Sequence, residues 1–198
     1  MDGHFYALLA RMRYIQRWAL MRNTEPENIQ EHSHMVAILA HALALLQNKH
    51  FGGHIDPGQA ALLALYHDAT EILTGDLPTP IKYYNPALRA SYKEVEETAA
   101  NRLLELLPEE LRGDYAPYLL HPDPELEAVV KAADKLDAYL KCVKERKAGN
   151  GEFQTAQAQI WDALQANPLP ALGYFIQHYL PSFELTLDQL NGSTHTMF

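Results

Sequence analysis

The stretch Leu62–Pro80, LLALYHDATEILTGDLPTP, decides how this chain is read. It opens as an apolar helical run, sets His67 beside Asp68 within it, and places Glu71 one turn later. Charged side chains are rarely buried unless they are paired or hold a metal. On a helix, Glu71 shares a face with His67 four residues back and with Asp68 three residues back. His67 and Asp68 diverge by about 100° around the axis, so they flank one point from the same helix. A histidine and two carboxylates without cysteine suggest a divalent cation and a water-activating base.

One helix cannot supply every ligand, so other elements must contribute. His32, just inside an upstream helix, is the best further imidazole. Asp134, in AVVKAADKLDAYL, is the best distant carboxylate, and Asp137 one turn later competes with it on position. The pattern H…HD…D points to hydrolysis of a phosphate ester. Two imidazoles and two carboxylates admit Mn²⁺, Co²⁺, Fe²⁺, Zn²⁺ or Mg²⁺, and ligand type alone does not choose among them. Four protein ligands leave room for water and substrate on an octahedral ion.

Blander readings stand beside this one. The chain has ten histidines, so an HD dipeptide alone is weak evidence. A partly buried histidine bonded to a neighbour, and carboxylates paired inside helical packing, explain each residue singly. The number of such residues within apolar helical stretches favours the metal. His34 lies about 200° around the helix from His32, and His41 falls on the far side for the same reason. His4, His50, His54, His121, His178 and His195 lie near ends or loops and are read as solvated.

Composition sets the frame. With 198 residues, 47% apolar and 21% charged, the sequence reads as one soluble globular domain spanning 1–198. A net charge of −9 argues against a broad nucleic-acid surface, which needs clustered Lys and Arg. It does not exclude a small anionic substrate, because a local metal and one arginine outweigh the global field. No apolar run is long enough to span a membrane. The N-terminus lacks the pattern of a cleaved leader. The single Cys142 cannot form an internal disulfide, and it is read as a small buried hydrophobe in a cytoplasmic protein.

Almost every segment reads as helix, and none shows sustained alternation with β-branched residues. Asn28 to about His50 has helical spacing at Ile29, Val36, Leu39, Leu43 and Leu46, ended by Gly52–Gly53. Asp56 caps a second helix with Pro57 at its first position and Gln59 closing a capping-box-like arrangement. That helix is expected to carry His67, Asp68 and Glu71 and to stop at Gly75. Two prolines stiffen the loop Gly75–Pro80. Further helices follow Asn85–Pro86 up to Leu107, Glu109–Tyr118, Asp123–Pro124 to near Gly149, Glu152–Ala166 and Ala171–Tyr179. The expected fold is all-α, a single bundle of about seven to nine helices. Residues 191–198 are expected to form a disordered tail.

Five blocks carry a resemblance: RWALMRN (Arg17–Asn23), ENIQEHSHMVA (Glu27–Ala37), ALYHDATEILTGDLPTPIKY (Ala64–Tyr83), VKAADKLDAYLKC (Val130–Cys142) and LPSFELTLDQL near the end. In this order they resemble the bacterial HD-domain 5′-deoxynucleotidases, the YfbR-like branch of the HD phosphohydrolase superfamily, from about Phe5 to Leu187. The resemblance implies an all-α HD domain, a homodimer, and one divalent cation, cobalt or manganese or similar, on His32, His67, Asp68 and Asp134. The family's aspartate follows Lys-x-Ala, here Lys131–Ala133, so the resemblance prefers Asp134 to Asp137. It further implies removal of phosphate from deoxyribonucleoside 5′-monophosphates with little demand on the base.

Catalytic roles fall by resemblance to Glu71 as the carboxylate acting on water and to Arg17 as the group that orients phosphate. Trp18 matches the residue that crowds the sugar against a 2′-hydroxyl. Asp76, Leu77, Pro78 and Thr79 match the substrate-contacting loop, with His32, Asp68 and Asp134 also touching substrate. Trp161 has no matching role and is read as core. Two alternatives remain open: another HD-type nucleotide phosphohydrolase or phosphodiesterase, and a non-catalytic helical binding module with a structural metal.

Overall fold

A computed structural model describes residues 3–82 and 84–192. Its described residues form eleven α-helices: α1 (Phe5–Leu9), α2 (Ile29–Phe51), α3 (Pro57–Tyr66), α4 (Glu71–Thr74), α5 (Thr79–Lys82), α6 (Pro86–Glu105), α7 (Glu109–Leu119), α8 (Pro124–Lys147), α9 (Gln154–Gln165), α10 (Pro170–His178) and α11 (Leu187–Leu190). Seven of them run nine residues or more, and the other four are short connecting turns. The all-α expectation therefore holds, and the extra helices are single turns too short to carry a periodic signal.

The caps follow the sequence. The Asn28 side chain accepts from the N–H groups of Gln30 and Glu31, and Gly52 at φ +69° closes α2 in the left-handed region open to glycine. The Asp56 side chain accepts from Gly58 and Gln59 N–H, and Asp123 does the same for Glu125 and Leu126. The capping box expected at Asp56 is not reciprocal: the Gln59 side chain instead accepts the Tyr118 hydroxyl, tying α3 to α7.

Helices α2, α3 and α8 pack into one core with α9 and α10. Val36, Ala40, Leu43 and Ala44 of α2 meet Ala60, Leu63 and Ala64 of α3 and Val129, Ala132, Ala133 and Leu136 of α8, all buried. The alanines let the three backbones approach closely, which brings His32, Asp134 and Asp137 within reach of the α3 terminus. Cys142 is fully buried and Trp161 packs against this core. A second cluster of Phe5, Ala69, Leu103, Leu104 and Leu107 fixes α1 and α6 against the corner after α3.

That corner departs from expectation. Helix α3 ends at Tyr66, not at Gly75, and residues 67–70 form a turn before α4. No glycine or proline interrupts the sequence there. The cause is a side chain: His67 Nδ1 donates to the Ala64 carbonyl at 2.6 Å, the acceptor a continuing helix would give to the Asp68 N–H. Tighter bonds follow, Ala69 N to Tyr66 O at 2.9 Å and Glu71 N to Asp68 O at 3.0 Å. Of the expected tail 191–198, Asn191 caps α11 and residues 193–198 lie outside the described residues.

Candidate metal centre

Three elements converge on one point: α2 brings His32, the corner after α3 brings His67 and Asp68, and α8 brings Asp134. His32 Nε2 lies 3.2 Å from Asp134 Oδ1 and 3.5 Å from Asp68 Oδ2, while His67 Nε2 lies 3.2 Å from the same Asp68 oxygen. The two imidazole rings are 5.2 Å apart between centroids. His32, His67 and Asp68 each offer a ligand atom within 4.8 Å of the others. Asp134 keeps 36% of its side chain exposed, so the cluster opens to solvent on its side.

Each imidazole is oriented by its other nitrogen. Asp137 Oδ2 lies 2.6 Å from His32 Nδ1, and the Ala64 carbonyl accepts from His67 Nδ1. Both Nδ1 atoms are therefore committed, and both Nε2 atoms are aimed at the cluster. Those two Nε2 atoms are buried without a hydrogen-bond partner, as is Glu71 Oε2. Buried polar groups normally find partners, so two orphaned nitrogens facing two carboxylates fit a divalent cation. The donor set of imidazole and carboxylate suits a borderline divalent ion.

Titration behaviour reflects this crowding. Burial and the Arg17 cation pull the His32 imidazole down, but the adjacent Asp134 and Asp137 carboxylates outweigh them and raise it from 6.5 to about 9. Burial lowers His67, yet Asp68 more than offsets it, so His67 also rises. Burial raises Asp68 and Asp134, but His67 holds Asp68, and His32 holds Asp134, below the usual carboxylate range. Burial, with Asp68 and Asp76 nearby, pushes Glu71 from 4.5 up to about 9.

Around the cluster lies a strap, residues 15–28, that runs from the first turn of chain back to α2. An isolated antiparallel bridge joins Gln16 to Asn28, and Arg17 N donates to Glu27 O at 2.9 Å. The Arg17 side chain is mostly buried, paired with the Glu27 carboxylate and 4.0 Å from Asp134 Oδ1. Trp18 follows at φ +58°, a left-handed conformation that is unusual for a bulky residue. Its ring lies 5.9 Å from the Arg17 guanidinium carbon and 5.3 Å from Phe153. The backbone N–H of Trp18 faces the Asp76 carboxyl, which burial raises against the pull of Arg17 and of that N–H. Asp76, Leu77 and Pro78 are partly buried in the loop between α4 and α5, and the side chain of Thr79 lies outside the described set.

Thus the cluster gathers His32, His67, Asp68 and Asp134, with Arg17, Trp18, Glu71 and Asp76 around it. Leu77 and Pro78 belong to the adjoining loop. Two participants escape sequence reasoning in their structural role. Asp137 is a partner of His32 from one turn beyond Asp134, and Glu27 balances Arg17. Their signal in sequence is only the spacing of three on α8 and the position just before α2.

The all-helical frame that brings these imidazoles and carboxylates together is shared with solved HD-domain phosphohydrolases. An HD-domain phosphohydrolase from Listeria innocua superposes with TM-score 0.79 at 22% identity, covering 91% of this chain and 88% of that one. A cyanophage S-2L HD phosphohydrolase bound to dA and one catalytic Zn²⁺ ion gives TM-score 0.63 at 22% identity, over 91% and 96%. The chain belongs to the 5′-deoxynucleotidase YfbR-like family, whose model matches residues 4–183. A 5′-deoxynucleotidase of Vibrio parahaemolyticus is 52% identical over 96% of this chain and 99% of its own length. That of Shewanella oneidensis is 50% identical over 96% and 98%.

Proposed function

We propose that this protein is a metal-dependent phosphomonoesterase that converts deoxyribonucleoside 5′-monophosphates to deoxyribonucleosides and phosphate. The observation that carries the reading is the pair of buried, unpartnered Nε2 atoms, that of His32 held toward Asp68 and Asp134 and that of His67 toward Asp68, each by the bond at its own Nδ1. Relatives at about half identity over nearly the whole chain bear the name 5′-deoxynucleotidase, which supports the substrate class.

His32, His67, Asp68 and Asp134 would hold one divalent cation, Co²⁺ or Mn²⁺ among the candidates. When bound, such an ion polarises a phosphoryl oxygen and lowers the pKa of its water toward neutrality. Glu71 accepts a proton from the attacking water, or fixes its direction, through the carboxyl oxygen that has no partner of its own. The raised Glu71 pKa would fall with a dication held on those ligands, because opposite charge favours the carboxylate. Arg17, held by Glu27, presents a planar fork to the phosphate and offsets charge as it develops on the equatorial oxygens. Trp18 closes on the sugar and leaves no room for a 2′-hydroxyl. Asp76, Leu77, Pro78 and Thr79 flank the nucleoside, and Pro78 restricts the loop's freedom. The chain acts as a homodimer in the cytoplasm. The lone buried Cys142 suits a reducing compartment.

The deciding experiment is phosphate release from matched dAMP and AMP, after chelation and after addition of Mn²⁺, Co²⁺, Zn²⁺ or Mg²⁺ singly. Release from dAMP over AMP, restored by metal, is expected. Release of pyrophosphate or triphosphate from a deoxynucleoside triphosphate as the dominant activity would replace the reading with another HD chemistry.

A further inference from the structure

Lys141 and Glu145, one turn apart on α8, are 3% and 0% exposed, and the proposed chemistry uses neither. Their Nζ and Oε1 atoms are 2.5 Å apart. A buried ion pair contributes little net stability, because desolvation offsets the attraction. What the pair touches is more telling. Glu145 Oε2 accepts from Thr24 N at 3.0 Å, from the Thr24 hydroxyl at 2.5 Å and from Asn150 Nδ2 at 2.9 Å. Its other oxygen accepts from Glu25 N at 3.3 Å, and Lys141 Nζ donates to Glu25 O at 2.5 Å. Asn150 Nδ2 also reaches Arg22 O at 2.7 Å. These bonds fasten residues 22–25 of the strap to the end of α8.

The same knot reaches Trp18 by a second route. Lys141 Nζ sits 5.5 Å from the centre of the Phe153 ring, and Phe153, fully buried, lies under the Trp18 indole. Asn23 Nδ2 donates to Trp18 O at 3.3 Å and Met21 O at 2.9 Å, linking the tryptophan to the fastened segment. A bulky residue in the left-handed region persists only where its surroundings over-determine it.

We propose that Lys141, Glu145 and Asn150 form a positioning device for sugar selection. They press the strap onto α8 so that the Trp18 indole, seated on Phe153, keeps one place beside the metal centre. The inference rests on the reading that Trp18 excludes the 2′-hydroxyl.

The test compares kcat/KM for dAMP and AMP in the metal-loaded wild type and in Thr24→Val, Glu145→Gln and Trp18→Ala. Thr24→Val removes one hydroxyl donor and leaves the ion pair intact, so it remains decisive if Glu145→Gln does not fold. In folded variants the dAMP to AMP ratio is expected to fall about three- to tenfold through gain on AMP, while metal affinity stays at the wild-type value. In a Trp161→Phe background, acrylamide should quench Trp18 fluorescence more readily once Thr24→Val is added. If Trp18→Ala shifts the ratio and neither knot variant does, this inference alone is overturned. If Trp18→Ala leaves the ratio unchanged, the account of sugar selection fails and takes the inference with it. Absence of dAMP turnover in the wild type would show instead that the underlying functional reading had failed.

Discussion

Asp137 and His32 are joined across α8 and α2: Asp137 Oδ2 lies 2.6 Å from His32 Nδ1, in a pair almost fully buried. The bond fixes which nitrogen of His32 faces Asp134 and Asp68. Replacing Asp137 by Asn should leave the fold intact by circular dichroism yet weaken metal binding about 10–100-fold, the usual cost of losing such a carboxylate. Competition against a chelator of known affinity measures it. Unchanged affinity would mean that His32 needs no orienting partner.

Glu71→Gln should keep the metal and lower turnover of dAMP by about 10²–10⁴-fold, the range of general base catalysis. The same substitution should raise the melting temperature of metal-free protein near pH 7. There the buried carboxyl, pushed up to about 9, is already protonated at a cost that a neutral amide avoids. Wild-type turnover in this variant would remove Glu71 from the mechanism.

Stability of the metal-free protein should fall as pH rises from about 6.5 to about 9. The His32 pKa is raised in the folded state, so its contribution is complete below 6.5 and is lost on approaching 9. Glu71 acts in the same direction between 4.5 and about 9, because the unfolded chain releases that proton first. Asp68 and Asp134, both lowered, oppose this only below the ordinary carboxylate range. Protons and cation compete for the same lone pairs, so stabilisation by added Mn²⁺ should grow over the pH window in which the apoprotein weakens. Thermal melts with chelator and with Mn²⁺ across this range provide the check, and a flat apoprotein profile would contradict it.

Arg17→Lys should raise KM and lower kcat/KM for dAMP more than a surface charge change would. A lysine presents a point charge where the phosphate meets a planar fork, and it leaves Glu27 less completely paired. Steady-state kinetics at fixed free metal would show the effect, and kinetics identical to wild type would assign Arg17 a purely structural part.

The fold was legible where local chemistry speaks alone. Asn28, Asp56–Pro57, Asn85–Pro86 and Asp123–Pro124 announce helix starts, and each does cap or open a helix. The break after Tyr66 was not legible, because a histidine side chain takes a backbone acceptor where the pattern remains helical. The convergence of His32, His67, Asp68 and Asp134 could be anticipated from polar residues set in apolar helical runs. Choosing Asp134 over Asp137 needed family resemblance, since both belong to the same α8 face by spacing. The geometry separates them: one opens toward the cluster and solvent, the other lies buried behind His32. The strap's left-handed tryptophan had no sequence signal, because its conformation is imposed by contacts with residues more than a hundred positions away.

The partly wet face of Asp134 bears on which ion does the work. Solvent can loosen that arm of the cage while the three helices stay packed, so the cation should trade with the medium far faster than the protein unfolds. The enzyme's metallic identity would then be a property of its surroundings: two preparations of one polypeptide, grown on different trace elements, should differ in rate until dialysed to a common supply.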